Sequence, residues 1–237
     1  MTKIYTKRFD SRKFDEPREM EARVGIVKRA DGSAMFRMGK TVAIAAVYGP
    51  RQLYPSFLQN PETGILRCTY DMLSFSVNDR KRPGPSRRSV EISLVTTNSL
   101  LPAIDLSGFP NTVVDVFIYI TQADAGTRCA GISAAAMALA DAGIPMRDLV
   151  CAISVGKVGD KVVLDLNKEE EDFEGGATDI PVAMMPRNSE VTLLQLDGEV
   201  KKEDLIQAIR LAKKGVEQIY KLQKQALKDK YGGVKNE

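Results

Sequence analysis

Alternating apolar and polar positions predict several β-strands in the first half of the chain. Strand-like stretches at 22–29, 33–38 and 41–50 are separated by "ADGS" and "GK", which are typical of hairpin turns. The stretch at 65–77 has the same character, and the continuous apolar run "NTVVDVFIYITQ" at 111–122 is typical of a buried strand. The first half is therefore predicted to be rich in β-structure.

Helical spacing appears at two places in this half. A helix is predicted at 89–104, with Val90, Leu94 and Leu101 on one apolar face. The Ala-rich stretch at 129–145 predicts a second helix, which ends at "GIP" because Gly and Pro terminate helices.

The second half repeats this order of elements without repeating a residue motif. A hairpin is predicted at 149–166, and two further strands at 179–186 and 189–198. A long amphipathic helix is predicted from 202 to 229, with lysines on its polar face. Blocks of several strands followed by a helix, found twice, favour an α+β fold over a doubly wound parallel sheet.

Length alone allows one large domain or two small ones, and the composition is ordinary for a soluble globular protein. The chain has 237 residues, of which 43% are hydrophobic and 27% charged, and its net charge is +3. We expect an N-terminal arm at 1–20, a single domain at 21–230 and a frayed tail at 231–237. The N-terminus lacks the apolar core of a signal peptide, and no apolar run is long enough to cross a bilayer.

The cysteine and histidine content limits the possible chemistry. Cys68, Cys129 and Cys151 are far apart and form no CxxC pair, so we expect reduced, buried side chains in a cytoplasmic protein without membrane association. The chain contains no histidine, which excludes Ser-His-Asp and Cys-His catalysis within it. An enzymatic acid or base would have to be a carboxylate, Lys, Tyr or a metal-bound water.

The loop "NDRKRPGPSRR" at 78–88 is the first candidate site. Its basic residues suit phosphate oxygens, because the planar guanidinium of arginine offers paired donors. They are Arg80, Lys81, Arg82, Arg87 and Arg88. The alternative is an ordinary solvated basic loop.

The turn "QADAGTRCAG" at 122–131 is the second candidate site. Ala125 and Gly126 are small enough for a ligand to approach the backbone, and Thr127 and Arg128 follow at the predicted helix start. This combination favours anion binding at a helix N-terminus. The alternative is a capped helix with an incidental arginine.

The acidic stretch "DLNKEEEDFEGGATDIP" at 165–181 is the third candidate site. Neighbouring carboxylates can share a proton, bind a divalent metal, or divide into acid and base. The run Glu169–Glu171 and Glu174 are predicted to be solvated. Asp179 differs, because an apolar strand follows it at once and should place it in a partly desolvated position that suits a working acid.

Several segments in the same order resemble the RNase PH family, within it most closely the catalytic RNase PH-like subunit of the archaeal exosome core ring. They are "VYGPRQLYP", "RKRPGPSRRSVEIS", "QADAGTR", "ALADAGIPMRDLV", "VLDLNKEE", "DIPVAMMP" and "LLQLDG". The similarity extends from about residue 8 to residue 230.

The resemblance implies a fold and an assembly. The fold would be a single RNase PH-like domain with two βαβα-type halves, similar to domain 2 of ribosomal protein S5. Three such subunits would alternate with three copies of a catalytically silent RNase PH-like paralogue in a hexameric ring. RNA-binding cap subunits would lie on one face, and single-stranded RNA would thread the pore.

The resemblance also implies phosphorolysis of RNA from its 3′ end. Inorganic phosphate, the co-substrate, would attack the last phosphodiester and release a nucleoside diphosphate, and the reverse reaction would add 3′ tails. Since phosphate is already a nucleophilic oxyanion, no histidine base is needed. It must be held against another anion, which requires arginines and helix N–H groups, and the leaving oxygen needs a proton.

Family motifs assign roles to particular residues. Arg88 and Arg128 match the binders of phosphate and of the RNA end, and Gly126 and Thr127 match the phosphate-binding turn. The RNA backbone would be held by Arg87 and Arg88, together with Arg80, Arg82 and Arg67.

The same resemblance assigns catalysis to Asp179 and Asp172, with Mg²⁺ between them as an open alternative to purely acid catalysis. The family pattern separates its two aspartates by six residues, whereas these two are seven apart. Glu171 is therefore an alternative to Asp172 as the companion of Asp179.

Two other functions compete with this one. A non-catalytic scaffold subunit would bind RNA without cutting it, but loss of the arginine turn and of Asp179 would then be expected. A self-contained homohexameric RNase PH that trims tRNA would be active without a paralogue.

Overall fold

The computed structural model describes residues 5–232 and contains two β-sheets in that range. The elements of the first half are β1 (Met20–Val24), β2 (Gly32–Met38), β3 (Thr41–Gln52), β4 (Ile65–Met72), α1 (Arg87–Leu100), β5 (Thr112–Gln122) and α2 (Thr127–Asp141). The elements of the second half are β6 (Cys151–Val158), β7 (Lys161–Leu164), α3 (Lys168–Glu171), β8 (Ala177–Met185), β9 (Glu190–Leu194) and α4 (Lys202–Tyr231).

The two sheets differ in topology, and the predicted α+β class is confirmed. The first sheet has the order β1-β2-β3-β5-β4, and its only parallel neighbours in the described chain are β4 and β5, which α1 connects. The second sheet has the order β7-β6-β8-β9 and is antiparallel throughout. The segment β4–α1–β5–α2 thus forms a βαβα unit with parallel strands, whereas the strands of the second half are all antiparallel.

Helix α2 lies at the centre of the molecule and contacts both sheets. Its Ala-rich sequence allows this position, because small side chains let strands approach on several sides, and nearly every residue of the helix is buried. Helix α4 packs against the second sheet and β1 through Ala208, Ala212, Val216 and Ile219. One core cluster therefore extends through both halves.

Helix α1 buries a different face from the one its apolar pattern marks. Val90 and Leu94 are 60% and 62% exposed, and Leu101 is 44% exposed. The helix packs instead through Ile92 and Leu100, with the small polar residues Ser89, Thr96 and Ser99 beside them. The predicted apolar face is thus an exposed stripe in this chain.

The described part of the predicted arm is packed against the second half. Tyr5 joins a small core cluster with Val158, Val163 and Leu166. Arg8 is fully buried, because Glu170 accepts hydrogen bonds from its Nε and Nη2 at 2.8 and 2.7 Å. Of the predicted tail, Tyr231 still belongs to α4, and residues 233–237 lie outside the described range.

Candidate active site

The predicted site residues of the first half collect where the parallel strands β4 and β5 end. The basic loop leads from β4 into α1, and the turn "ADAGT" leads from β5 into α2. Both helices therefore begin at the same edge of the sheet. In sheets with parallel strands, this carboxyl edge is the usual place for ligands.

The N-terminus of α1 presents two arginines. Ser86 caps the helix by accepting a hydrogen bond from the backbone N–H of Ser89, and Arg87 and Arg88 form the exposed first turn. No acidic residue lies in that turn. Positive side chains at the positive end of a helix dipole are unfavourable by themselves, so this end of α1 is suited to an anion.

The loop before α1 is exposed. Arg80 and Arg82 form no hydrogen bond or ion pair within residues 5–232, whereas the Lys81 ammonium pairs with Asp71. Arg80 and Arg82 are thus available to a polyanion.

The N-terminus of α2 leaves its backbone N–H groups uncapped by any side chain. Ala125 and Gly126 both have left-handed backbone conformations, with φ of 57° and 63°. Gly126 is the N-cap, and no side chain of the described chain caps the helix there. The Thr41 hydroxyl fixes the turn by accepting from the Asp124 N–H at 2.9 Å and donating to the Ala125 carbonyl at 2.7 Å. The turn is therefore rigid and open to an anion.

Arg128, in the first turn of α2, keeps one donor without a partner. Its Nη1 donates to the Gln195 side chain, and its Nη2 lies 3.6 Å from the Glu91 carboxylate. Its Nε is buried and has no hydrogen-bond partner among the described residues. Buried donors are normally satisfied, so this Nε is available to a polar ligand.

Burial raises the pKa of Tyr70 to about 12. A hydrogen bond with the Thr127 side chain and the positive charges of Arg88 and Arg128 partly oppose this rise in pKa. Tyr70 thus belongs to the surroundings of the same site.

Asp179 enters the site from the second half. It lies in β8, where its backbone pairs with Gly156 on one side and with Asp197 on the other. The Ser154 hydroxyl donates to its Oδ1. Burial raises the pKa of Asp179 despite the Ser154 hydrogen bond and the charges of Arg128 and Arg88. Asp179 therefore occupies the desolvated position that was predicted for it, on the side of the arginines of the first half.

The acidic stretch divides into residues with different surroundings. Glu170 is buried under Arg8 and Tyr5 rather than solvated as predicted, because its carboxylate accepts from both side chains. Asp165 follows β7 directly, and it is fully buried. Glu169 and Glu174 are exposed, as predicted.

Glu171 and Asp172 lie on different sides of the short helix α3. Asp172 is 61% exposed at its side chain and pairs with Lys168 at 2.7 Å. Glu171 is largely buried, and burial together with the charge of Asp179 raises the pKa of Glu171 to about 7. The charge of Asp179 therefore acts on Glu171, whereas Asp172 pairs with Lys168, which also lies 3.9 Å from the Glu171 carboxylate.

This placement bears on the Mg²⁺ hypothesis. Asp172 is exposed and pairs with Lys168, whereas Asp179 is largely buried and accepts from Ser154. Within residues 5–232 no group of three or more acidic, Cys or His side chains is arranged to hold a metal. The described residues thus do not provide a set of ligands for Mg²⁺ at this pair.

Arg67 lies apart from these residues. It is in β4, five residues before Met72 at the strand end, which corresponds to about 16 Å along the strand. Asp115 accepts hydrogen bonds from Arg67 Nη2 at 3.0 Å and from Arg51 Nε at 3.1 Å. Both arginine side chains remain about half exposed. They border the loop that carries the exposed side chains of Tyr54 and Phe57.

Sequence reasoning missed Ser154 and Arg18. Ser154 is the single hydroxyl in the apolar stretch "VCAISV", and Arg18 belongs to the segment predicted to be an arm. A polar residue inside a buried strand is a signal that could have been found. The position of Arg18 depends on contacts more than a hundred residues away along the chain.

Two other sequence predictions concern the cysteines and membrane-spanning segments. The three cysteines are free and buried, as predicted, and burial raises the pKa of each thiol. No described helix is both long and apolar enough to cross a membrane.

Comparison with known proteins identifies relatives along nearly the whole chain. Residues 16–145 match domain 1 of the 3′ exoribonuclease family, and residues 148–215 match domain 2. The chain is 55% identical over 225 residues to the exosome complex component Rrp41 of Pyrococcus furiosus, covering 95% of this chain and 89% of that protein. It is 53% identical over 226 residues to Rrp41 of Methanopyrus kandleri, covering 95% and 94%.

A solved structure supports the fold alone. The crystal structure of rice (Oryza sativa) Rrp46 superposes with a TM-score of 0.83 at 24% identity. The match covers 93% of this chain and all of the rice chain.

Proposed function

This chain belongs to the RNase PH family of 3′ exoribonucleases, and we propose that the site between its two halves binds inorganic phosphate next to the 3′ end of an RNA. The enzyme is a phosphorolytic 3′→5′ exoribonuclease. Phosphate attacks the terminal phosphodiester, a nucleoside diphosphate is released, and the shortened RNA keeps a free 3′ hydroxyl. The reverse reaction extends the RNA.

The unpartnered Nε of Arg128, beside the uncapped N-terminus of α2, is the observation that supports this proposal most strongly. A phosphate seated there accepts hydrogen bonds from backbone N–H groups of Gly126 and Thr127 and from the Arg128 guanidinium. Arg88 approaches from the first turn of α1 and offsets the repulsion between phosphate and the RNA phosphodiester. Such fixed donors stabilise a charged transition state without having to reorganise.

Asp179 acts as the proton donor to the leaving 3′ oxygen. A general acid must hold its proton until the bond breaks, and burial raises the pKa of Asp179 in that direction. Glu171 takes the place of the second family carboxylate, since it lies close enough for the two charges to interact. Two neighbouring carboxyl groups resist ionising together, which keeps one proton within the pair.

RNA is held by the arginines outside the phosphate position. Arg87, Arg80 and Arg82 are exposed around the start of α1 and hold the backbone near the 3′ end. Arg67 lies too far along β4 to reach the same phosphate, so it contacts nucleotides further from the 3′ end. Its pairing with Asp115 leaves half of its side chain exposed for that contact.

The exposed apolar stripe of α1 binds a second subunit. Val90 and Leu94 lie on a helix that packs beside β9, whose Val191 and Leu194 are 49% and 48% exposed. Contiguous exposed apolar surface of this kind marks an interface. The partner is an RNase PH-like paralogue in a ring of three plus three subunits, and RNA-binding cap subunits complete the assembly.

Phosphate titration tests the proposed reaction. The chain is assembled with its RNase PH-like paralogue, and single-stranded RNA is added with increasing phosphate. We expect RNA shortening and nucleoside diphosphates to rise together with phosphate. Nucleoside monophosphates formed without phosphate would contradict phosphorolysis, and full activity of the chain alone as a hexamer would replace the mixed ring by a homohexamer.

A further inference from the structure

Arg18, a buried residue of the N-terminal arm, contacts both halves of the site. Its Nη2 and Nε donate to the two oxygens of Asp165 at 2.7 and 2.9 Å, and its backbone N–H donates to Asp165 Oδ2 at 2.8 Å. Its Nη1 donates to the carbonyl of Asp124, in the phosphate-binding turn. Its side chain is only 6% exposed.

On the side of the second half, Asp165 is connected to Asp179 through Ser154. Its backbone N–H donates to the Ser154 carbonyl at 2.8 Å, and the Ser154 hydroxyl donates to Asp179. Asp165 has a left-handed backbone conformation, with φ of 55°, which a non-glycine residue adopts only when surrounding contacts fix it. Arg18 holds its carboxylate, and Arg8 and Arg12 donate to its carbonyl at 2.8 and 3.1 Å.

On the side of the first half, the Arg18 guanidinium lies against the backbone of the turn. A Cβ placed on Gly126 would be 3.0 Å from Arg18 Nη2. The guanidinium therefore packs against the turn at Gly126 and donates a hydrogen bond to it at the Asp124 carbonyl. Arg18 therefore fixes the distance between the phosphate-binding turn and β8, the strand that carries Asp179.

We propose that Arg18 is a positioning residue for phosphorolysis, which sets the phosphate-binding turn against Asp179 without touching phosphate or RNA. The inference rests on the proposed function, because it assigns a role relative to that reaction. Only arginine fits the position, since a lysine ammonium cannot bond both oxygens of Asp165 and the Asp124 carbonyl in one plane. Displacement of reacting groups by about 1 Å lowers rates by up to about 100-fold.

The test uses Arg18→Lys in the full chain assembled with its paralogue. We expect the KM for phosphate to rise by about tenfold or more and kcat to fall, with the KM for RNA unchanged. Arg37→Lys is the control, because Arg37 is a partly buried arginine of the same half-molecule that bonds Glu21 and the Gly39 carbonyl and neither Asp165 nor Asp124. It should leave the KM for phosphate unchanged.

Asp165→Asn provides a second variant should the lysine variant not fold. It keeps the side-chain shape and loses the charge that holds Arg18, so the same rise in the KM for phosphate is expected. The inference fails if folded variants at either position keep the wild-type KM for phosphate, or if Arg37→Lys raises it equally. Absence of phosphate-dependent activity in the wild type would instead overturn the proposed function.

Discussion

Asp179 combines a rigid backbone with a desolvated side chain, and both follow from its position in β8. Strand β6 pairs with it on one side and the isolated bridge to Asp197 on the other, and Ser154 donates to its carboxylate. The apolar run that follows Asp179 in the sequence was sufficient to predict this placement. Glu171 was predicted only as an alternative to Asp172, because the sequence alone does not show which side chain of α3 faces inwards in the longer loop.

Asp179→Asn should abolish phosphorolysis while RNA binding remains. The amide keeps the shape and the Ser154 contact but cannot donate an acidic proton, so we expect kcat to fall by at least about 100-fold. Single-turnover kinetics and a separate RNA-binding measurement distinguish the two effects. Wild-type turnover in this variant would remove Asp179 from the mechanism.

Glu171→Gln should change the pH dependence of stability. Burial and the charge of Asp179 raise the pKa of Glu171 from 4.5 to about 7 in the folded protein. The folded state therefore binds more protons than the unfolded state between these pH values, and the contribution of Glu171 to stability falls as pH rises through this window.

We expect Glu171→Gln to melt at a higher temperature than wild type at pH 8, with the difference shrinking towards pH 5. Asp172→Asn is the matched control, since Asp172 is exposed, and it should not show this trend. Thermal denaturation across pH provides the measurement. An equal effect of the two variants would contradict the different placement of the two side chains.

At the scale of elements, local sequence patterns did not predict the burial of the arm or the exposure of the apolar face of α1. The first twenty residues are polar in the sequence, yet Arg8 and Arg18 are buried because Glu170 and Asp165 neutralise them from the second half. The apolar pattern of α1 identified a real stripe, but that stripe is exposed. Both differences depend on contacts distant in sequence, which local patterns do not contain.

Arg8→Met tests the docking of the arm. Removing one partner of a buried ion pair leaves the Glu170 charge uncompensated, so we expect a loss of about 3 to 5 kcal/mol in the free energy of unfolding. Arg23→Met removes a largely exposed partner of Glu21 and should change the free energy of unfolding far less. Urea denaturation measures both, and similar small losses would show that the arm contributes little.

At the scale of the whole molecule, the order of strand and helix blocks was sufficient to predict the α+β class. The central position of α2 and the contacts between the two sheets depend on packing, and no local pattern specifies them. The meeting of α1, α2 and β8 at one edge follows from that packing. It brings the turn that carries Arg128 close to Asp179, which lies about fifty residues later in the chain.

Leu94→Lys should prevent assembly with the paralogue without unfolding the chain. A buried lysine in an apolar interface is costly, whereas on the free subunit the same position is 62% exposed. Ile206→Lys, at an exposed position of α4, is the matched control and should assemble normally. Light scattering after gel filtration and circular dichroism report assembly and folding. Normal assembly of the Leu94 variant would place the interface elsewhere.

The most direct test of a phosphate nucleophile follows its oxygen atoms. The assembled enzyme is given single-stranded RNA and ¹⁸O-labelled phosphate in unlabelled water, and the released nucleotides are analysed by mass spectrometry. We predict nucleoside diphosphates that carry the label in the β-phosphoryl group and in the oxygen bridging to the α-phosphorus. Unlabelled nucleoside monophosphates, whose new oxygen comes from water, would contradict the account.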